Sequence, residues 1–429
     1  MARERRRVVV TGLGVVSAIG VEEGSVWASL LGGRTGLGEI RGFDVAGNAV
    51  TIGAEVDLGP LDARQKGKLR RADRTLRFAV EATRQALAGA GWLAGEEDGD
   101  EERGGDAPVL PIGSIWGCGC GPAGTLYESH RRFAEKGPQG MRPSTVPNCM
   151  ANSISAGVSI RFRLGGTNQV VVSACTSSTN AVGQGFRAIR DGYAEVVLCG
   201  GVDAFFDPFY YGVWNNLGVL STIADPERAL RPFDADRAGT LLGEGAAALL
   251  LESAESAARR GARARGEVLG YGESSDASHI TSPEIAGQVR AIREALADAG
   301  IEPGELAYVN AHGTATESND VTESRSIREA FGAAADDVPV GATKSYFGHT
   351  LGASGTLEAV GTLLALEHGV APPNLNLDRP DPACNVRLVG GEPLPLGRGP
   401  AMKNSFGFGG GNGVLVLGHA GDRPGGTRA

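Results

Sequence analysis

Two stretches of this chain repeat one layout, and no other feature restricts the fold as much. QVVVSACTSSTNAVGQGFRAI, from Gln169, and VPVGATKSYFGHTLGASGTLEAVGTLLAL, from Val338, each pass from a β-branched strand through a polar turn of small residues into a helical pattern. Each is preceded by a strand that runs into a Gly-rich loop: IGSIWGCGCG before the first, YVNAHGTAT before the second. A repeat of that length is an internal duplication, not a solenoid. The seam is expected at the Ala254–Gly266 helix and the strand after it. That predicts one half over 1–262, a second over 263–420, and a flexible tail over 421–429. Further strands are expected over Arg7–Thr11, Val109–Ile115, Gln169–Ala174, Glu195–Cys199 (closed by Gly200-Gly201), Leu306–Ala311 and Val338–Thr343. Helices are expected over Asp73–Gly89, Thr179–Arg190, Gln288–Ala299 and Gly355–Glu367. Strands alternating with helices make this an α/β chain.

Composition removes several function classes. With 429 residues and 41% hydrophobic, the chain can bury a large core, so bulk disorder is excluded. The 67 glycines follow no G-x-y period and instead point to tight turns and close backbone approaches. A net charge of −9 argues against nucleic acid or an anionic membrane as partner. No apolar run is long enough for a membrane span. The N-terminal arginines resemble the start of a signal sequence, but Gly12, Gly14 and Gly20 break the apolar stretch after them. Six cysteines, sparse for this length, with no zinc-finger spacing and with Cys118-Gly-Cys120 too close for C-x-x-C, predict a reduced, cytoplasmic protein. The acidic stretch Ala94–Pro108 is expected to be a solvated surface insertion.

Three residues stand out chemically. Cys175 sits at a strand-to-helix turn, where the helix N-terminus would favour a thiolate; a buried, inert cysteine is the competing reading. His312 and His349 each follow a strand and lie among glycines, where sites form in α/β sheets; the competing reading of each is structural. The other histidines carry no motif. There is no G-x-S-x-G. Gly12-Leu13-Gly14 has Ser17 where a dinucleotide fingerprint needs its third glycine, and no P-loop exists. The Gly-rich run Asn404–Gly413 reads as a phosphate loop or a flexible hairpin.

Taken together, VSACTSSTNAVG, GGVDA, RPFDADRAGTLLGEGAAALLLE, YVNAHGTAT, TKSYFGHTLGASG and NSFGFGGGN resemble, in order, a β-ketoacyl-[acyl-carrier-protein] synthase. That is the elongating Cys-His-His class of the thiolase-like superfamily. The resemblance runs through nearly the whole chain. It implies a five-layered αβαβα sandwich of two similar halves and no cofactor or metal. It further implies decarboxylative condensation of a malonyl group with an acyl group held on Cys175. His312 and His349 would stabilise the enolate as neutral Nε2–H donors, and Lys344 would orient the histidine network. The N–H groups of Cys175 and Phe408 would form the oxyanion hole, with Phe408 also the gate. Thr314 and Thr316 would hold the phosphopantetheine arm, Cys120 and Trp214 would line the acyl pocket, and Glu358 would belong to the network behind the site. The implied partners are an acyl carrier protein carrying acyl and malonyl groups, and a second subunit, giving either a homodimer or a heterodimer with a chain-length-factor homologue.

Some positions depart from that pattern. Gly411 replaces a threonine, which is expected to loosen the Phe408 loop. Gly218 replaces an arginine used for carrier docking, so docking would lean on Lys66, Lys68, Arg70 and Arg71. Trp214, where a phenylalanine is usual, predicts a flat pocket wall suited to rigid acyl chains. Asn319-Asp320 is closer to polyketide than to fatty-acid enzymes. The rival reading is a catalytically silent chain-length factor, against which Cys175 argues. A degradative thiolase would need a second cysteine near the C-terminus.

Overall fold

The computed structural model describes residues 5–93 and 108–420. The acidic stretch up to residue 107 and the tail from residue 421 lie outside them. Ten strands form one mixed sheet: β1 (Val8–Ser17), β2 (Gly113–Gly117), β3 (Asn168–Val171), β4 (Val196–Asp203), β5 (Gly245–Ser253), β6 (Gly266–Ser275), β7 (Tyr308–Asn310), β8 (Val340–Gly341), β9 (Ala401–Gly407) and β10 (Gly411–Gly418). Their spatial order is β8-β7-β9-β10-β6-β1-β5-β4-β2-β3. Read outward from the centre, β1-β5-β4-β2-β3 repeats as β6-β10-β9-β7-β8. The directions repeat too: antiparallel at the first two pairings of each set, parallel at the last two. A short antiparallel ladder, Val8–Val10 against Gly266–Val268, joins the sets.

The helices of ten residues or more are α1 (Arg74–Gly89), α2 (Ala123–Lys136), α3 (Ser153–Phe162), α4 (Ser177–Arg190), α5 (Pro208–Leu217), α6 (Ile285–Ala299), α7 (Glu317–Phe331) and α8 (Ser354–His368). α1 and α3 cover the outer face of β1–β5, and α6 covers the outer face of β6–β10 with α7 against it. α4 and α8 lie between the two strand sets, which completes an αβαβα sandwich. The strands read their faces by period two. On β5, Ala246, Ala248 and Leu250 join the outer core with Phe78 and Phe162, while Ala247, Leu249 and Leu251 join the central core with Val182 and Leu363. α8 is buried along its whole length to Leu366, as a helix apolar on all sides must be.

Helices approach the sheet closely where glycine permits. A Cβ on Gly12 or Gly14 would lie 2.0 or 1.9 Å from the carbonyl oxygens of Ala86 and Ala82 on α1. The run that resembles a broken signal sequence is therefore a central strand with a helix pressed onto it.

Several boundaries move from the sequence expectation. β1 runs on to Ser17 and β4 runs through Gly200-Gly201 to Asp203, because glycine in a strand interior is tolerated where another element needs the space. β3 stops at Val171, since Ala174 turns left-handed at φ 52°. The Gly-rich run is the β9–β10 hairpin, turned by Gly409 and Gly410 at φ 83° and 74°.

Candidate active site

Both duplicated junctions turn the same way. Ala174-Cys175-Thr176 forms one 3-10 turn into α4, and Leu351-Gly352-Ala353 forms one into α8. The first residue of each is left-handed, Ala174 at φ 52° and Leu351 at φ 45°. Neither is glycine, so each costs roughly 1–2 kcal/mol. The strained elbow sets Cys175 at the head of α4, 6% exposed.

Around that sulfur the C-terminal half supplies the rest. His349 Nε2 lies 3.1 Å from Cys175 Sγ, and His349 Nδ1 lies 3.1 Å from Ser354 Oγ, which in turn is 3.0 Å from Thr350 Oγ1. The His312 ring meets His349 edge to face at 5.4 Å. Lys344 Nζ approaches His312 Nδ1 at 3.4 Å. An ammonium can only donate, so His312 carries its proton on Nε2, facing the cavity. The Phe408 N–H points at the Cys175 sulfur. Glu358, at the buried core of α8, accepts from Lys344 on Oε1 and pairs with Lys403 Nζ at 2.9 Å on Oε2.

Burial governs the charges. It pushes the Cys175 thiol up to about 11, against the opposing pull of the Phe408 N–H and the Lys344 charge. The expectation of a thiolate favoured by the helix end is thereby corrected: the resting thiol keeps its proton. Burial first, then the ammonium of Lys344, holds both imidazoles well below the usual histidine range, with Lys403 adding to it. Thiol and imidazoles are thus all neutral at rest. The ligating atoms of Cys175, His312 and His349 lie within 4.8 Å of one another, but two lysine ammoniums behind them favour an incoming anion over a dication.

A cavity of about 370 Å³ opens onto this cluster. Thr314, Thr316, Trp214, Phe408 and Asn412 line it together with Cys175 and both histidines. The Thr314 and Thr316 hydroxyls are 3.0 Å apart. Trp214, on α5, stacks on the Phe408 ring at 6.0 Å and 13°. Cys120 does not line this cavity. It packs in the apolar cluster that also holds Cys175 and Trp214, on a loop fixed by Asp203. Gly411 does not loosen the hairpin: its backbone is extended and it pairs with both Gly407 and Ser275. Asn412 Nδ2 bonds Asp276 at 2.7 Å, and Gly409 N–H bonds the Ile280 carbonyl at 2.7 Å. Gly218 is left-handed at φ 73° and ends α5, a position that favours glycine. Lys66, Lys68, Arg70 and Arg71 are all exposed.

Sequence reasoning missed three buried carboxylates or cations of the site. Glu323, on α7, accepts from the backbone of His312 and Gly313 at 2.7 and 2.9 Å and fixes that turn. Asp203, ending β4, accepts from Gly119, Cys120 and Gly352 N–H at 2.7, 2.9 and 2.7 Å. Lys403 lies one residue before the motif at Asn404; the only signal was a lysine inside a strand otherwise apolar or small.

Known proteins resemble this chain along most of its length. Residues 5–257 match the model of the beta-ketoacyl synthase N-terminal domain, and residues 265–378 that of its C-terminal domain. A 3-oxoacyl-[acyl-carrier-protein] synthase 2 from Synechocystis sp. is 40% identical over 418 residues, 96% of this chain and 98% of the relative. One of the same description from Coxiella burnetii is 38% identical, covering 96% and 99%. Among solved structures, the ishigamide ketosynthase/chain length factor superposes with a TM-score of 0.88 at 35% identity, over 97% of this chain and all of that one. A type II polyketide ketosynthase bound to its acyl-carrier protein and the hexaketide gives 0.88 at 28%, with the same coverage. The duplicated sandwich, the elbow cysteine and these matches lead to one conclusion: this chain belongs to the beta-ketoacyl synthase family.

Proposed function

We propose that the chain is a ketosynthase that joins a malonyl unit to an acyl group by decarboxylative condensation, in fatty-acid or type II polyketide synthesis. The observation that carries this reading is the thiol of Cys175 held 3.1 Å from His349 Nε2, beneath the Phe408 N–H and beside His312. In the first half-reaction His349 Nε2 accepts the thiol proton as Cys175 Sγ attacks the carrier thioester. The N–H groups of Cys175 and Phe408 hold the tetrahedral oxyanion. The carrier thiolate leaves and takes that proton. In the second, the malonyl C–C bond breaks, CO₂ departs, and the electron pair becomes an enolate whose oxygen accepts from Nε2–H of His312 and His349. The enolate carbon attacks the acyl thioester and expels the Cys175 thiolate, which takes one proton from water. Removing one such donor costs about 10²–10³ in rate.

His349 must accept in one half-reaction and donate in the other. The Ser354 hydroxyl, backed by Thr350, can donate to Nδ1 or accept from it, so either tautomer is supported. Lys344 is a positioning residue for His312, and Glu358 for Lys344. Thr314 and Thr316 suit the amides of a phosphopantetheine arm. Residues up to 262 and from 263 to 420 act as the two halves, a division supported by the repeated strand order.

The solved relative with its acyl-carrier protein supports a carrier protein as partner here. The exposed cluster Lys66, Lys68, Arg70 and Arg71 continues into a groove lined by Arg132 and Arg142, which suits an acidic carrier. β3 is one edge of the sheet, with Val172 next to it and Ile160 on α3 packed against it, and Val146, Met150, Ile160 and Val172 are 52–70% exposed. An apolar edge of this kind calls for pairing, here with a second ketosynthase-family chain, identical or homologous. Among the described residues no helix is long and apolar enough to cross a membrane, which fits work on soluble carriers in the cytoplasm. The chain-length-factor alternative is disfavoured by the intact Cys175 constellation.

The test is to incubate the protein with acyl- and malonyl-carrier protein, reading Cys175 acylation by intact mass and CO₂ release separately. Cys175→Ala should lose acylation and keep decarboxylation. His312→Ala should acylate but condense poorly, whereas His349→Ala should slow in both half-reactions. Undiminished condensation in either histidine variant would refute the scheme.

A further inference from the structure

The condensation scheme leaves one buried cation unused. Lys403 stands on β9 with its side chain fully buried. Its Nζ pairs with Glu358 Oε2 at 2.9 Å and bonds the Ser405 hydroxyl, which is 2.7 Å from Thr179 Oγ1 on α4. The other Glu358 oxygen already holds Lys344. Two ammoniums therefore share one carboxylate, with the buried Glu323 carboxyl also acting on Lys403. A buried charge without compensation is costly. A chain that needed only volume here would place methionine. The two ammoniums lie behind the two imidazoles, where the scheme above brings a malonyl carboxylate and then an enolate.

We propose that Lys403 is a positioning residue for the condensation step: from β9 it clamps Glu358 opposite Lys344, and its charge behind His312 and His349 helps keep both as neutral donors and favours the anionic extender. This rests on the ketosynthase reading. Lys403 bonds neither imidazole, so it acts through Glu358 and through its field. The titratable groups facing the two imidazoles are Cys175 from the elbow, Lys344 from its own short helix, Glu358 from α8, Glu323 from α7 and Lys403 from β9. Asp203 lies behind Cys175. Repulsion by Lys403 is one of the causes that lower each imidazole, after burial and Lys344, and for His312 after His349 as well. Burial also pushes the Lys403 ammonium itself below the usual lysine range, while Glu358 opposes this.

The test uses opposite charge changes in the full-length protein. Lys403→Gln removes the cation yet can still bond Glu358 and Ser405. Glu358→Gln removes the anion. Malonyl decarboxylation is followed from pH 4.5 to 9, and the imidazoles are followed directly by ¹³C-histidine NMR. Lys403→Gln should move the acid limb and the imidazole titrations to higher pH, by about one unit, about tenfold in rate at a fixed acid pH. Glu358→Gln should move both to lower pH. If Lys403→Gln does not fold, Lys403→Met serves for the same shift. Wild-type limbs and titrations in a folded, Cys175-acylating Lys403 variant would overturn the proposal, as would shifts of the same sign in both variants. Absence of acylation and decarboxylation in the wild type would instead remove the ketosynthase reading.

Discussion

Iodoacetamide should report the resting state of Cys175 directly. With burial holding the thiol at about 11, only about one part in 10⁴ is thiolate at pH 7; an unperturbed thiol near 8.5 carries about 300-fold more. The more basic sulfur is intrinsically the better nucleophile, and a Brønsted slope of about 0.4–0.5 returns roughly 10- to 20-fold. The net expectation is alkylation about twentyfold slower than a free model thiol at pH 7. The rate should climb tenfold per pH unit through pH 9 and bend only near 11. Lys344→Met should slow it further at every pH below the thiol's titration, since the Lys344 charge favours the thiolate. Peptide-resolved mass spectrometry under pseudo-first-order reagent gives the rate for Cys175 alone, with N-acetylcysteine as reference. A plateau beginning near pH 6, or labelling faster than the reference at pH 7, would mean a thiolate–imidazolium pair, and the neutral resting site would be wrong. An acyl-carrier thioester should escape this handicap, because His349 takes the proton within the attack.

The same geometry sets three further outcomes. Both site imidazoles are held below the usual histidine range, so as pH falls below about 6.5 the unfolded chain binds two protons that the fold does not. These groups should then cost about 2.7 kcal/mol of stability per pH unit, a loss that ends only where the folded imidazoles titrate. A His312→Asn/His349→Asn variant should melt closer to its neutral-pH midpoint at pH 5.5 than wild type does; an equal acid loss in both contradicts this. Trp214→Leu removes the stack on Phe408, about 0.5–1.5 kcal/mol, and should change acylation by about two- to twelvefold and narrow any preference for unsaturated over saturated acyl chains. Identical rates for both chain types in wild type and variant would make Trp214 a packing residue. Asp203→Asn places an amide N–H against backbone donors and should destabilise by about 1–3 kcal/mol per unpaired group, read by urea midpoint; an unchanged midpoint refutes the anchoring role.

What the sequence made legible was local. Cys175, His312 and His349 announce themselves because each sits among small residues just past a β-branched run, and that grammar survives without any contact information. α1 was read to within a residue, since its N-cap Asp73 and apolar face are both short-range signals. β5 went unread because GAAALLLES is buried on both faces and lacks a period of two. Asp203, Glu323 and Lys403 are ordinary charged residues in sequence; only their partners on other elements, such as Gly352 for Asp203, His312 for Glu323 and Glu358 for Lys403, show what they do. The Trp214–Phe408 stack is of the same kind. The thiolate expectation failed on a global term: a helix end can be read from the chain, but the depth at which the sulfur is buried cannot.

The two elbows also bear on how activity appears during folding. Cys175 stands on the first, while His312, Lys344, His349 and Phe408 all come from beyond the seam; Asp203 reaches across from β4 to tie the second elbow at Gly352. Neither half owns a complete reaction set, and each elbow is braced by the opposite half. A refolding chain with one half formed, or with both formed but undocked, has secondary structure and a core yet no condensing activity. Recovery of condensing activity is therefore a clock for the last docking event alone, and it should lag behind circular dichroism even when every helix is already in place.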